Sequence, residues 1–151
     1  MVRRTDWGCS MCLMVYIASE RALRTVPWNE ESPGFHVTEL VERDAKVKDQ
    51  FDFQHVYYAG SHEGCGCGFQ FGEYPDVEDD DRDEKRKSLD EFSRYLSREL
   101  ATVREVEVFA CWDGDQGAAP EHSRQLTPRS LLADSFYFFQ RERSRFKPEA
   151  V

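Results

Sequence analysis

An α+β domain built on a mixed or antiparallel sheet of about four to six strands is the fold class this sequence predicts, and three observations predict it. Several short runs, Leu13-Met14-Val15-Tyr16-Ile17-Ala18 among them, are rich in strand-forming residues and bounded by turn residues. Only one long stretch, near residues 88–103, carries a sustained helical apolar period. Helical patterns therefore do not alternate with strands as a doubly wound fold requires.

Taken in order, Leu13 to Ala18 is apolar on both faces and reads as a central strand. Arg21 to Pro33, punctuated by Pro27 and by Ser32-Pro33-Gly34, reads as a loop. Phe35-His36-Val37-Thr38-Glu39-Leu40 alternates like a half-buried strand, whereas Asp44 to Gln50 follows neither period. His55-Val56-Tyr57-Tyr58-Ala59 is a third strand, which ends at Gly60. Acids crowd residues 74–86, Asp79-Asp80-Asp81 at their centre, and like-charge repulsion predicts a mobile loop there. Ser88-Leu89-Asp90-Glu91 has the reciprocal capping-box pattern, and Leu89, Phe92, Leu96, Leu100 and Val103 follow on one helical face, so the main helix is expected over about 88–103. Val106 to Trp112 is a fourth strand, stopped by Asp113-Gly114-Asp115. Thr127-Pro128 opens a short helix over about 128–133. Phe136-Tyr137-Phe138-Phe139 reads as the last strand, continuing into Arg141, Arg143 and Arg145.

A chain of 151 residues is expected to form one domain, and at that length folding needs neither a metal nor a disulfide. The 29 Asp and Glu against 20 Lys and Arg repel phosphate backbones, which argues against nucleic-acid partners. No run approaches the roughly 20 apolar residues that span a bilayer. Without a signal-peptide pattern the expected location is cytoplasmic, where thiols stay reduced. The five cysteines then read as metal ligands, catalytic groups or buried small apolar residues.

Cys65-Gly66-Cys67-Gly68, flanked by Gly60, Gly64 and Gly72, is the most informative stretch. So much glycine implies a backbone shaped for close approach to something. Cys12 lies at the head of the first strand and Cys111 near the end of the fourth, so four thiols sit at element boundaries. Zinc takes four tetrahedral sulfur or nitrogen ligands, which makes Cys12, Cys65, Cys67 and Cys111 the candidate set, with Cys9, His55 or His62 as substitutes. An enzymatic or redox alternative uses Cys65 or Cys67 as the reactive thiol and His62 as its base, oriented by Glu63. A third reading is an interaction protein whose cysteines are inert, and Cys111 between Ala110 and Trp112 has the surroundings of a buried apolar residue. Met11-Cys12 adds one resemblance: translation from Met11 with removal of that methionine would leave Cys12 as a leading nucleophile, which resembles the N-terminal-nucleophile amidohydrolases. The aromatic residues read as core, Asp113-Gly114-Asp115 as a turn and the alternating arginines as a solvated edge. No phosphate loop or dinucleotide fingerprint is present. The expected function is a zinc- or soft-metal-binding module of binding or regulatory type.

Overall fold

The computed structural model describes residues 12–70 and 82–150. Six strands, β1 (Leu13–Ser19), β2 (His36–Glu39), β3 (His55–Gly60), β4 (Val106–Trp112), β5 (His122–Leu126) and β6 (Glu142–Phe146), form one sheet in the order β2-β3-β1-β4-β6-β5. All neighbours are antiparallel except β5 and β6, so the sheet is mixed. With one long helix, α1 (Arg82–Glu99), this is the expected α+β architecture.

Alternation along each strand divides the core in two. Leu13, Val15 and Ile17 of β1 and Val106, Val108 and Ala110 of β4 join Leu89, Phe92, Tyr95 and Leu96 of α1 on one face. On the other, Cys12, Met14, Tyr16, Phe109 and Cys111 pack with Val47, which lies in a 3-10 stretch over Glu42–Gln50. That stretch is the segment whose sequence follows neither period. β1 is buried along its whole length because both faces are covered.

Three expectations need correction. The helix begins at Arg82, not 88, and its regular part ends at Glu99, not 103. Ser88 is buried in its second turn, and its Oγ accepts the backbone N–H of His62 at 3.0 Å; Glu91 accepts that of Phe35 at 3.1 Å. Both residues of the apparent capping box are thus committed to tertiary contacts, while Asp83 and Glu84 supply the negative charge that favours a helix start. Beyond Glu99, its carbonyl accepts from Thr102 and Val103 and closes the chain in turns. Residues 82–86 of the expected acidic loop are therefore helical, and the rest of that loop, with Cys9, lies outside the described residues.

The aromatic run Phe136–Phe139 is not a strand. Phe136 and Phe138 plug the α1 face, and the Gln70 amide bonds both the N–H and the carbonyl of Phe138 at 2.8 Å in place of a ladder. The last strand is its continuation, β6, whose inward residues are Glu142, Ser144 and Phe146. Glu142 is fully buried against Arg124 of β5, a strand without an apolar alternation to announce it. The short helix after Thr127 is a 3-10 turn over Pro128–Leu132, with Thr127 N–H held by Ser130 Oγ at 3.1 Å.

Candidate metal centre

Because β1 runs antiparallel to both β3 and β4, its first residue lies beside the last residues of those strands. The ladder between β1 and β3 ends at the pair Val15 and Ala59. Beyond it the chain leaves β3 at Gly60, turns through residues 61–65 and re-enters against the head of β1 as a 3-10 turn over Gly66–Phe69. The N–H of Leu13 donates to Cys67 Sγ at 3.3 Å, where the ladder would otherwise have continued. Cys12, one residue before β1, meets the same turn. The thiols of Cys12, Cys65 and Cys67 consequently lie within 4.8 Å of one another, a cluster that can hold a metal ion.

What the glycines approach is the protein itself. A Cβ on Gly66 would lie 2.5 Å from Val15 Cγ2 and 3.0 Å from the Leu13 carbonyl oxygen, closer than packing allows. On Gly68 it would meet Ser61 Oγ at 2.2 Å. These two positions let the turn lie flat on β1 and fold over Ser61. Phe69 then inserts, fully buried, between Phe35, Phe92 and Phe138. The cysteine turn is thereby tied to the aromatic core on the α1 face, while Cys65 joins the opposite cluster and Cys67 packs against both.

Ser61, which no sequence signal marks, organises the loop. Fully buried, its hydroxyl donates to the Cys65 carbonyl at 2.6 Å and accepts the N–H groups of Glu63 and Gly68 at 3.2 and 3.1 Å. Its own N–H also reaches the Cys65 carbonyl at 3.0 Å. Tyr58 donates its hydroxyl to the Gly64 carbonyl and closes the outer side of the loop.

The thiols differ in surroundings. Cys12 and Cys65 are 9% and 8% exposed, and Cys67 is half-buried. A hydrogen bond shared with Cys67 holds the proton on Cys65, and burial and the negative charge that Cys67 can carry push its thiol further up. Cys111 faces the same apolar cluster, opposite Met14 of β1, but is not one of the three thiols within 4.8 Å. Burial, then the carboxylates of Asp115, Asp113 and Asp44, push it up to about 12. Its setting is that of a buried small apolar residue.

Of the substitute ligands, His55 pairs with Ser19 at the opposite end of β1 and β3. His62 lies on the loop, but its Nδ1 is 3.1 Å from Ser88 Oγ, which ties the ring to α1. For the enzymatic alternative the same contact occupies His62 Nδ1, while Cε1 of the ring lies close against Gly68 of the cysteine turn. The N-terminal-nucleophile resemblance depends on Met11, outside the described residues.

Elsewhere, Asp113-Gly114-Asp115 is a turn held by Gln116, whose Nε2 donates to Asp113 Oδ1 at 2.9 Å and to the Tyr16 hydroxyl at 3.0 Å. Arg143 and Arg145 pair with Asp52 and the buried Glu107 rather than lying free on an edge. Among the described residues no helix is long and apolar enough to cross a membrane. No protein-family model, curated protein or solved structure matches the chain. The reading of its function therefore rests on the geometry of the thiols.

Proposed function

We propose that this chain is a small metal-binding module, of binding or regulatory type, that holds zinc through Cys12, Cys65 and Cys67 in a reducing, cytoplasmic setting. The observation that carries the reading is the spacing of the three sulfurs. Two thiolates on one tetrahedral zinc, each about 2.3 Å from it, lie about 3.8 Å apart. The three thiols, all within 4.8 Å, need to close by no more than about 1 Å to hold it. Their donor chemistry suits zinc and related soft ions. The Leu13 N–H on Cys67 Sγ supports a thiolate there, because it offsets negative charge on sulfur.

Zinc binds the deprotonated thiol, and the environment of Cys65 favours the protonated one. Loading must expel that proton, so affinity rises with pH and falls on acidification. Metal analysis of protein purified without an affinity tag, followed by zinc titration between about pH 6 and pH 8, tests this. Near-stoichiometric zinc, proton release on binding and loss of binding in Cys67→Ala are the expected results. Protein that takes up no metal while Cys65 and Cys67 are rapidly alkylated would sink the reading. That outcome favours thiol chemistry at Cys67, the most accessible of the three sulfurs, which receives the Leu13 N–H.

A further inference from the structure

Sulfurs close enough to share a metal are also close enough to bond to one another. A disulfide needs its sulfurs at about 2.05 Å and a Cβ–S–S–Cβ torsion near a right angle, so proximity alone does not choose the pair. The sulfurs of Cys12, Cys65 and Cys67 all lie within 4.8 Å of one another, and the backbone around them separates the three pairings.

Cys65 and Cys67 flank a single residue, so a bond between them would close a small ring through Gly66. That backbone is held on both sides. The Cys65 carbonyl accepts the N–H and the hydroxyl of Ser61 at 3.0 and 2.6 Å, and Gly66 lies so close on β1 that a Cβ there would be 2.5 Å from Val15 Cγ2. Closing the ring would twist the peptides that these contacts fix, and a disulfide of distorted geometry stores strain. Cys12 with Cys65 joins the two most buried of the three sulfurs, whereas thiol–disulfide exchange needs one that a co-reactant can reach. Cys12 with Cys67 meets neither obstacle. The Leu13 N–H donates to Cys67 Sγ at 3.3 Å, so the most accessible sulfur lies against the peptide that joins Cys12 to Leu13. The two residues sit on separate elements, the head of β1 and the 3-10 turn, and side-chain rotation brings them together while the ladder and the loop contacts persist.

Building on the three-thiol zinc reading, we propose that Cys12 and Cys67 form a reversible disulfide that excludes the metal, so that oxidation empties the centre and reduction restores it. The co-reactant is a small disulfide such as oxidised glutathione. The Cys67 sulfur attacks it, the S–S bond of the co-reactant breaks, one small thiol leaves with the Cys67 proton, and a mixed disulfide stays on Cys67. Cys12 then attacks the Cys67 sulfur, and the second small thiol leaves with the Cys12 proton. Two protein thiols are oxidised and one small disulfide is reduced to two thiols; where zinc had been bound, the two protons come from water. Zinc is held by thiolates, and the product has lost two of them.

The test adds oxidised glutathione to the reduced, metal-free chain and maps the linked tryptic peptides by mass spectrometry after alkylation. Cys9 shares the N-terminal peptide with Cys12, so the Cys9→Ser variant assigns the partner within it. The expected result is a Cys12–Cys67 link, formed equally in Cys9→Ser, and a glutathione adduct that stays on Cys67 in Cys12→Ser. Zinc-loaded protein should release about one zinc for each link formed and take it up again after dithiothreitol. A link between Cys65 and Cys67, a link from Cys9, or thiols that stay reduced would overturn the pairing. Zinc retained by the linked chain would overturn the exclusion. Protein that takes up no zinc before any oxidant is added is the separate failure of the metal reading, and it removes the gating while the link is still decided on the metal-free chain.

Discussion

The two faces of the sheet are both apolar but are built from different materials. Against α1 the sheet packs Phe35, Phe69, Phe92, Phe138 and Phe146, with Phe35 and Phe92 stacked at 4.6 Å between ring centroids. The opposite face holds cysteines, Met14 and the tyrosines Tyr16 and Tyr58, with the buried Asp44, Gln50 and Gln116 at its margin. Burial forces the hydroxyls of both tyrosines well above their usual range, so they stay protonated and act as neutral hydrogen-bonding groups. Stacked and tilted phenylalanine rings are concentrated on the α1 face, which also holds Tyr57, Tyr95 and the buried Glu142, whereas the thiols gather on the other. The cysteine turn joins them, with Phe69 in the first and Cys65 in the second.

If that division is right, damage to each face should read out differently. Phe92→Ala removes a fully buried ring from the centre of the aromatic cluster and should cost about 3–5 kcal/mol in urea unfolding. Cys67→Ala, on a half-buried side chain, should cost about 1 kcal/mol or less, yet abolish metal binding. A larger stability loss from the cysteine than from the phenylalanine would dissolve the distinction between the faces.

Gly66→Ala tests the join. Its methyl would press on Val15 Cγ2 and the Leu13 carbonyl oxygen, pushing the turn away from β1 and Cys67 Sγ away from the Leu13 N–H. Overpacking of this kind costs about 1–3 kcal/mol, and here it should also weaken metal affinity. Stability and affinity, measured together by denaturation and metal titration, should fall in step. Unchanged affinity would show that the thiols do not depend on how the turn seats.

Much of this was legible in the chain because apolar runs with turn residues at their ends leave few alternatives. β1, β3 and β4 are such runs, and the antiparallel order that follows brings Cys12 to the end of the sheet where Cys65 and Cys67 emerge. The errors arise where a local pattern is spent on a distant partner. Ser88 and Glu91 spell a helix cap but bind His62 and Phe35. The run at Phe136–Phe139 has strand-like composition, yet its backbone is satisfied by a glutamine side chain far away in sequence. β6 hides because an inward position holds Glu142, a choice explained only by Arg124 on the parallel neighbour. At the site, glycine around Cys65 and Cys67 signalled close approach correctly. It did not say that the approached objects are Val15 and Ser61, and a loop serine gives no sign that it will accept two backbone N–H groups.

The smallest effect worth measuring concerns how the loop is hung from the helix. Ser88 Oγ accepts the His62 N–H and lies 3.1 Å from His62 Nδ1, so one buried hydroxyl fixes both the backbone and the ring at the start of the cysteine loop. Ser88→Ala leaves the alanine compatible with the helix but strips the N–H of its partner, at about 1 kcal/mol. If that bond helps to seat the cysteine loop, the zinc affinity of Ser88→Ala should fall by less than that of Gly66→Ala in the same metal titration. An unchanged affinity would show that the Ser61 network holds the loop in place without its bond to the helix.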